Sequence, residues 1–207
     1  DEGLNTGGMG TVAPNPYYTP AVAERCMQEI FLPTVAAMQA EGRPFKGCLY
    51  FGLMLTPDGP KVIEYNCRFG DPETQVVLPL LESDLLTVME ATTNGTLDKT
   101  DVKFSDGAAA CVILASGGYP LAYEKGKEIT GLTAGQLDAA DVTVYHAGTA
   151  IKDGRLVTNG GRVLGVTATA NTLPEALKKA YAATESIHFD KLHKRSDIGA
   201  RALAAMQ

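Results

Sequence analysis

The 207-residue sequence has no tryptophan, only three histidines and four cysteines, and no Cys-x-x-Cys pair. This scarcity speaks against a zinc or disulfide framework, and the apolar surroundings of the cysteines indicate buried free thiols. No apolar run approaches the about 18 residues of a membrane-spanning helix. No basic segment followed by an apolar one opens the sequence, as a signal peptide would. We therefore expect a cytoplasmic protein with no membrane partner.

An excess of basic charge is also missing. Lys and Arg total 18 against 24 Asp and Glu, so the formal net charge is −6. A mildly acidic chain is poorly suited to coating nucleic acid, and we expect no nucleic-acid partner. Hydrophobic residues make up 45% of the sequence and charged residues 20%. This balance is typical of globular proteins with a sizeable core.

The first half of the sequence predicts helices and one hairpin. Apolar residues at helical spacing over 21–41 predict a helix that Pro33 interrupts, either by kinking it or by starting a second helix. Two apolar runs, 48–56 and 61–67, flank a Pro-Asp-Gly-Pro turn and predict a β-hairpin. Asp71, just before Pro72, is predicted to cap the next helix.

The second half is predicted to begin after a polar, turn-rich segment at residues 94–107. This segment divides the sequence into predicted domains at 1–100 and 107–207. Beyond the boundary, apolar and alternating runs predict strands at 108–116, 142–151, 155–159 and 162–170. Helices beginning near Leu173 and Ser196 are predicted to close the chain.

The strand predicted at 61–67 carries a polar face. Because alternate side chains of a strand share a face, Glu64, Asn66 and Arg68 point the same way. Oxygen ligands from Glu64 and Asn66 would suit Mg²⁺, and the guanidinium of Arg68 would suit a phosphate or carboxylate. An exposed sheet face that meets only water explains the alternation equally well. The other face is predicted to pack into the core: Ile63, Tyr65 and Cys67.

Two further segments are candidates for ligand binding: Asp71, which follows this strand in the sequence, and a glycine-rich run near residue 5. Asp71 stands at a predicted helix N-terminus, where it would serve as a simple cap or point its carboxylate toward a substrate amine. The run from Asn5 to Gly10 has three glycines in four positions, which permits close backbone approach to a ligand. It matches neither the P-loop pattern nor the dinucleotide-binding pattern.

These runs resemble one enzyme family. The sequences NTGGMG, GLMLTPDGPKVIEYNCRFGDPETQ and VVLPLLESDLL are similar to those of the phosphoribosylamine–glycine ligase family of ATP-grasp enzymes. The later runs ASGGYP, KGKEITGL and NGGRVLGVTATA resemble the C-terminal domain of the same family. Together they cover nearly the whole sequence.

The resemblance implies an α+β fold. We expect the C-terminal part of an ATP-grasp domain, an antiparallel sheet with helices, followed by a small β-rich domain. It also implies the reaction: ATP phosphorylates glycine, and the amine of 5-phosphoribosylamine displaces phosphate to give glycinamide ribonucleotide. The implied cofactors are ATP and Mg²⁺ or Mn²⁺. The N-terminal part of the same enzyme is the further partner that we expect.

The resemblance assigns roles to individual residues. It implies that Glu64 and Asn66 bind the metal, and that Glu64 also serves the nucleotide. Arg68 and Asp71 match catalytic and substrate-binding residues, with Arg68 on phosphate or the glycine carboxylate and Asp71 on an amine. A further acidic ligand of wider ATP-grasp enzymes falls at Gly52, so we predict no third protein ligand.

The remaining implied contacts involve backbone and apolar groups. The loop that walls the acceptor pocket corresponds to Asn5, Thr6, Gly7 and Gly8. Leu53 or Met54 is expected to pack under the adenine, although core packing alone would also explain either residue.

Three hypotheses follow. In the first, this chain supplies the metal-binding and acceptor face of a phosphoribosylamine–glycine ligase. In the second, it is a binding or structural fragment that performs no chemistry by itself. In the third, it belongs to another ATP-grasp carboxylate–amine ligase, which the run RFGDPETQ disfavours.

Overall fold

The structure, a computed structural model, describes residues 3–132 and 141–207. The strands in chain order are β1 (Gly10–Ala13), β2 (Tyr50–Thr56), β3 (Gly59–Asn66), β4 (Ala108–Ser116), β5 (Val142–His146), β6 (Thr149–Lys152), β7 (Arg155–Thr158), β8 (Arg162–Ala170) and β9 (Leu192–His193). The helices are α1 (Pro20–Cys26), α2 (Leu32–Ala40), α3 (Thr74–Val77), α4 (Leu85–Asn94), α5 (Leu173–Thr184) and α6 (Ala200–Ala205). Within the two described ranges, no helix is both long and apolar enough to cross a bilayer.

The described residues form two compact units that interleave along the chain. The first unit combines the segment up to Pro14 with Asp71–Leu80 and Ser105–Gln207, and the second combines Asn15–Gly70 with Leu81–Phe104. The division into domains at 1–100 and 107–207 stays a prediction. The units differ from it because two segments of the first hundred residues pack with the C-terminal half.

The first unit is built on an antiparallel sheet in the order β1–β4–β8–β5, with β9 also paired to β4. All nine residues of β4 are buried, which explains its unbroken run of apolar and small side chains. On one face Val112 packs with Leu177 of α5, and on the other Ile113 packs with Val76 of α3. Each fully buried side chain of this kind stabilises the fold by about 1.5–3 kcal/mol.

Strand β1 places the glycine-rich loop beside the C-terminal sheet. Gly10 lies opposite Val112 and Ala13 lies opposite Ala109 in the antiparallel register of β1 and β4. The backbone N–H of Ile113 donates to the carbonyl of Met9 at 3.0 Å. The C-terminal end of the glycine-rich loop is therefore anchored to β4.

The second unit contains the predicted hairpin, formed by β2 and β3. Its helical segment runs from α1 through a π-helical stretch, Met27–Phe31, into α2, so a second α-helix starts around Pro33, one of the two alternatives predicted. Pro33 lies in the first turn of α2, and the wider π turn accommodates a residue that has no N–H to donate.

The prediction that Ile63, Tyr65 and Cys67 enter a core is wrong. Ile63 is 62% exposed, Tyr65 is 50% exposed, and Cys67 is exposed as well. Among the described residues, β2 and β3 pair only with each other. A two-stranded sheet offers few neighbours to cover both of its faces, so alternation along β3 did not indicate which face is buried.

The N-cap of α4 leads to a prediction about the stability of the second unit. Asp84 Oδ1 accepts hydrogen bonds from the Thr87 N–H at 2.7 Å and the Thr87 hydroxyl at 2.9 Å. These bonds hold the pKa of Asp84 below its usual value, so their stabilisation is present above about pH 4 and is lost as pH falls through the lowered pKa. Asp84→Ala is expected to lower the urea midpoint of unfolding relative to wild type at pH 7. The difference between the two midpoints should shrink toward pH 2.

Asp84→Asn is the matched control, because asparagine caps helices as well as aspartate does. It should show a small deficit at pH 7. Equal deficits for Asp84→Ala across the whole pH range would contradict the role of the ionised cap.

Candidate functional site

Glu64 and Asn66 offer a pair of oxygen ligands for a metal ion near the end of β3. Asn66 Nδ2 donates to Glu64 Oε1 at 3.1 Å, which confirms that the two side chains share a face of the strand. Glu64 Oε2 and Asn66 Oδ1 take no part in this bond and could serve as ligands of a cation. Carboxylate and amide oxygens are the ligands that Mg²⁺ prefers, with water and phosphate completing its octahedron. The donor set therefore fits a hard divalent cation.

Gly52 lies directly opposite Glu64 in the β2–β3 register, just before a register shift at Gly52/Leu53. A Cβ at Gly52 would lie 2.8 Å from Glu64 Cγ, closer than side-chain atoms pack. The glycine thus makes room for the Glu64 side chain across the hairpin. An acidic residue at this position would displace Glu64 from its present rotamer.

The other site residues predicted for this unit lie on β2, as Leu53 and Met54 do, or past the end of β3, as Arg68 does. Arg68 is exposed, and its Nη1 donates to the neighbouring Phe69 carbonyl at 2.7 Å. Leu53 is half-buried, while Met54 is 54% exposed. Within residues 3–132 and 141–207, no cluster of three or more His, Cys, Asp or Glu side chains could hold a metal ion.

Asp71 is not the helix cap that its position before Pro72 predicted. Helix α3 begins at Thr74, and its N-cap residue, Glu73, makes no side-chain capping bond. Instead, Asp71 Oδ1 accepts from Gln75 Nε2 at 2.9 Å, and Oδ2 accepts from Arg162 Nη2 at 3.0 Å. An ionised carboxylate would accept a charge-assisted bond at a helix N-terminus as well, but the guanidinium also brings a full positive charge to Asp71.

Arg162 also holds the glycine-rich loop. Its Nη1 donates to the Gly7 carbonyl at 2.7 Å, to the Gly8 carbonyl at 3.4 Å and to the Asp71 carbonyl at 2.8 Å. The Gly7 N–H donates in turn to the Tyr119 hydroxyl at 2.9 Å. The loop, Asp71 and the start of β8 therefore form one hydrogen-bonded cluster within the first unit.

Inside the loop, the residues predicted to line the pocket for the amine substrate differ in their hydrogen bonds. The Gly8 N–H donates to Thr6 Oγ1 at 3.3 Å, whereas Asn5 is exposed. Gly8 has φ +101°, and a Cβ there would lie 2.6 Å from Pro72 Cδ. Only glycine combines this backbone conformation with so close an approach.

Arg162, Tyr119 and Gln75 also belong to this cluster and were not among the predicted site residues. A signal for Arg162 was present, since a charged residue stands between a Gly-Gly pair and an apolar strand. Its side chain is only 21% exposed, which is unusual for arginine and indicates a specific set of partners. Nothing in the sequence pointed to its contact with Asp71, 91 residues earlier.

Cys111 lies on β4 beneath this cluster and is fully buried. Burial raises the pKa of its thiol to about 11, so the group is protonated at neutral pH. A protonated, buried thiol is a poor nucleophile. We therefore assign Cys111 to packing.

The predicted site residues thus fall into two groups. Glu64 and Asn66 are brought together in the second unit, which also holds Arg68, Leu53 and Met54. Gly7, Gly8 and Asp71 are brought together by Arg162 in the first unit, which also holds Asn5 and Thr6.

Family comparisons cover most of the chain. Residues 1–74 match the phosphoribosylglycinamide synthetase ATP-grasp (A) domain, and residues 109–201 match the phosphoribosylglycinamide synthetase C domain. The chain is 50% identical over 208 residues to a phosphoribosylamine–glycine ligase of Vibrio vulnificus, covering 100% of this chain and 48% of that protein. The chain spans about half the length of the curated relatives it matches.

Solved structures give the same picture of the fold. The crystal structure of a phosphoribosylamine–glycine ligase from Thermotoga maritima superposes with a TM-score of 0.82 at 41% identity, covering 96% of this chain and 48% of that one. The biotin carboxylase domain of a Hydrogenobacter thermophilus 2-oxoglutarate carboxylase, solved with MgADP, ADP and bicarbonate, has a TM-score of 0.60 at 13% identity, covering 96% and 42%. The latter likeness concerns the fold alone. These comparisons confirm the predicted α+β ATP-grasp fold.

Proposed function

Because this chain belongs to the phosphoribosylamine–glycine ligase family of ATP-grasp enzymes, we propose that the intact protein joins glycine to 5-phosphoribosylamine. The γ-phosphoryl group of ATP passes to the glycine carboxylate, giving glycyl phosphate and ADP. The amine of 5-phosphoribosylamine then attacks the acyl carbon and displaces phosphate, giving glycinamide ribonucleotide. Such chemistry depends on alignment and charge neutralisation more than on an acid–base pair.

The observation that carries this proposal is the Glu64–Asn66 pair. Glu64 Oε2 and Asn66 Oδ1 would hold Mg²⁺ or Mn²⁺, and the hydrogen bond from Asn66 to Glu64 orients both groups. The cation would neutralise the phosphate oxygens of ATP during transfer. Leu53 or Met54, on the paired strand β2, is proposed to contact the adenine.

The first unit is proposed to receive the amine substrate. Asp71 would accept hydrogen bonds from the amine, and the loop from Asn5 to Gly8 would line the acceptor pocket. Arg68 is proposed to bind a phosphate or the glycine carboxylate through the donors that it does not use on Phe69.

A direct assay tests the proposal. ADP release is measured with glycine, 5-phosphoribosylamine, ATP and Mg²⁺, for the intact protein and for the 207-residue chain, whose mass of 21.8 kDa is checked first. We expect glycine-dependent ADP release from the intact protein and none from this chain, because we propose that the rest of the enzyme clamps the ATP phosphates. Release by the chain alone would contradict that division of labour. Release with formate or bicarbonate in place of glycine would indicate another ATP-grasp ligase.

A further inference from the structure

We propose that Arg162 is a positioning residue that joins the glycine-rich loop to Asp71 and so sets the geometry of the amine-acceptor pocket. The identity of the substrate rests on the proposed function, whereas the contacts of Arg162 are independent of it. One guanidinium reaches the carbonyls of Gly7, Gly8 and Asp71 and the Asp71 carboxylate.

The burial of Arg162 distinguishes it from the ordinary arginines of the chain. Its side chain is 21% exposed, whereas Arg155, which pairs with Glu128, is 69% exposed. An exposed ion pair such as that of Arg155 with Glu128 contributes little to stability. The fork of guanidinium donors, by contrast, holds several acceptors at fixed angles. Four acceptor oxygens on one partly buried group indicate a joint between segments.

The Asp71 carboxylate is held at both oxygens. Arg162 Nη2 donates to Oδ2, and Gln75 Nε2 donates to Oδ1. Each oxygen retains a further lone pair, so the carboxylate can still accept a bond from a substrate amine. Its plane, however, is determined by these two donors. Removing Arg162 would free one oxygen and let the carboxylate rotate.

The loop depends on the same residue. Arg162 and the Tyr119 hydroxyl hold the peptide groups around Gly7, while the Ile113 N–H holds Met9 where β1 begins. Without Arg162, the loop keeps its anchor in the sheet but loses the bonds that turn its carbonyls toward Asp71. The expected defect is therefore in binding of the amine substrate, with no direct effect on ATP.

The kinetic test compares Arg162→Ala, Arg162→Lys and the control Arg155→Ala in the intact enzyme. Removal of a group that orients a metal ligand typically costs about 10–100-fold, and by analogy we expect Arg162→Ala to raise KM for 5-phosphoribosylamine about tenfold. KM for ATP should stay within about twofold. Arg162→Lys should recover only part of the loss, because an ammonium cannot reach all four oxygens. Added guanidinium ion, at non-denaturing concentration, should partly restore Arg162→Ala.

A second measurement is independent of catalysis. Hydrogen–deuterium exchange of peptides spanning residues 5–12 should speed up in Arg162→Ala and stay unchanged in Arg155→Ala. Unchanged exchange in Arg162→Ala would overturn the proposal, and so would equal rises in KM for ATP and the amine. If the wild-type enzyme shows no glycine-dependent turnover, the proposed function fails, while the exchange result still decides whether Arg162 holds the loop.

Discussion

Glu64→Gln is expected to lower kcat of the intact enzyme by at least about a hundredfold at limiting Mg²⁺. The substitution keeps the size of the side chain but removes the negative charge that would face the cation. Loss of one preorganised electrostatic contact to a developing charge commonly costs about 10²–10³ in kcat. The hydrogen bond from Asn66 can persist on a glutamine oxygen, so the change isolates the charge. Turnover is measured by ADP release across a Mg²⁺ titration.

Higher Mg²⁺ should restore part of the Glu64→Gln activity, because a weakened site fills when the cation is abundant. Glu90→Gln provides the control, since it makes the same chemical change on an exposed face of α4 in the same unit. Its activity should equal that of wild type. Near-normal turnover of Glu64→Gln at limiting Mg²⁺ would contradict the metal-binding role of Glu64.

Gly8→Ala is expected to destabilise the first unit by about 3 kcal/mol. An L-residue with a left-handed backbone costs about 1–2 kcal/mol, and forcing a methyl group into occupied space adds about 1–3 kcal/mol. Gly8 meets both conditions, with φ +101° and Pro72 Cδ 2.6 Å from the position of a Cβ. Urea unfolding of the protein measures the loss.

Gly3→Ala separates the two costs. Gly3 has φ +87°, but nothing lies within 4 Å of the position of its Cβ. This variant should therefore lose only the backbone cost. Equal urea midpoints for the two variants would show that the loop moves away from Pro72 without penalty. The contact between Gly8 and Pro72 would then have no role in holding the loop.

Local patterns predicted the elements that local physics determines. The hairpin of β2 and β3 followed from two apolar runs around a Pro-Asp-Gly-Pro turn, and β4 followed from its run of eight apolar residues before Ser116. Period-two alternation placed Glu64 and Asn66 on one face, because the pleat of a strand imposes that geometry on any sequence. The same alternation failed for Ile63, since burial depends on what packs against a face.

The partners of Asp71 could not be predicted in this way. Its position before a proline suggested a cap, yet Arg162 and Gln75 take its two oxygens. A local capping bond was outcompeted by a charged donor brought in from a distant strand. Runs of sequence predicted Asp71 and the glycine-rich loop as site residues, but they carried no information about what holds them.

The family, the hairpin, the apolar strands and the shared face of Glu64 and Asn66 could all be predicted from the sequence, because each depends on residues close together in the chain or on a continuous motif. Long-range packing was needed to show that β1 joins β4, that the first unit gathers three separate segments and that Arg162 links Gly7, Gly8 and Asp71. These features depend on contacts between residues about 90 to 155 positions apart. Such contacts form only where packing of the sheet brings the segments together.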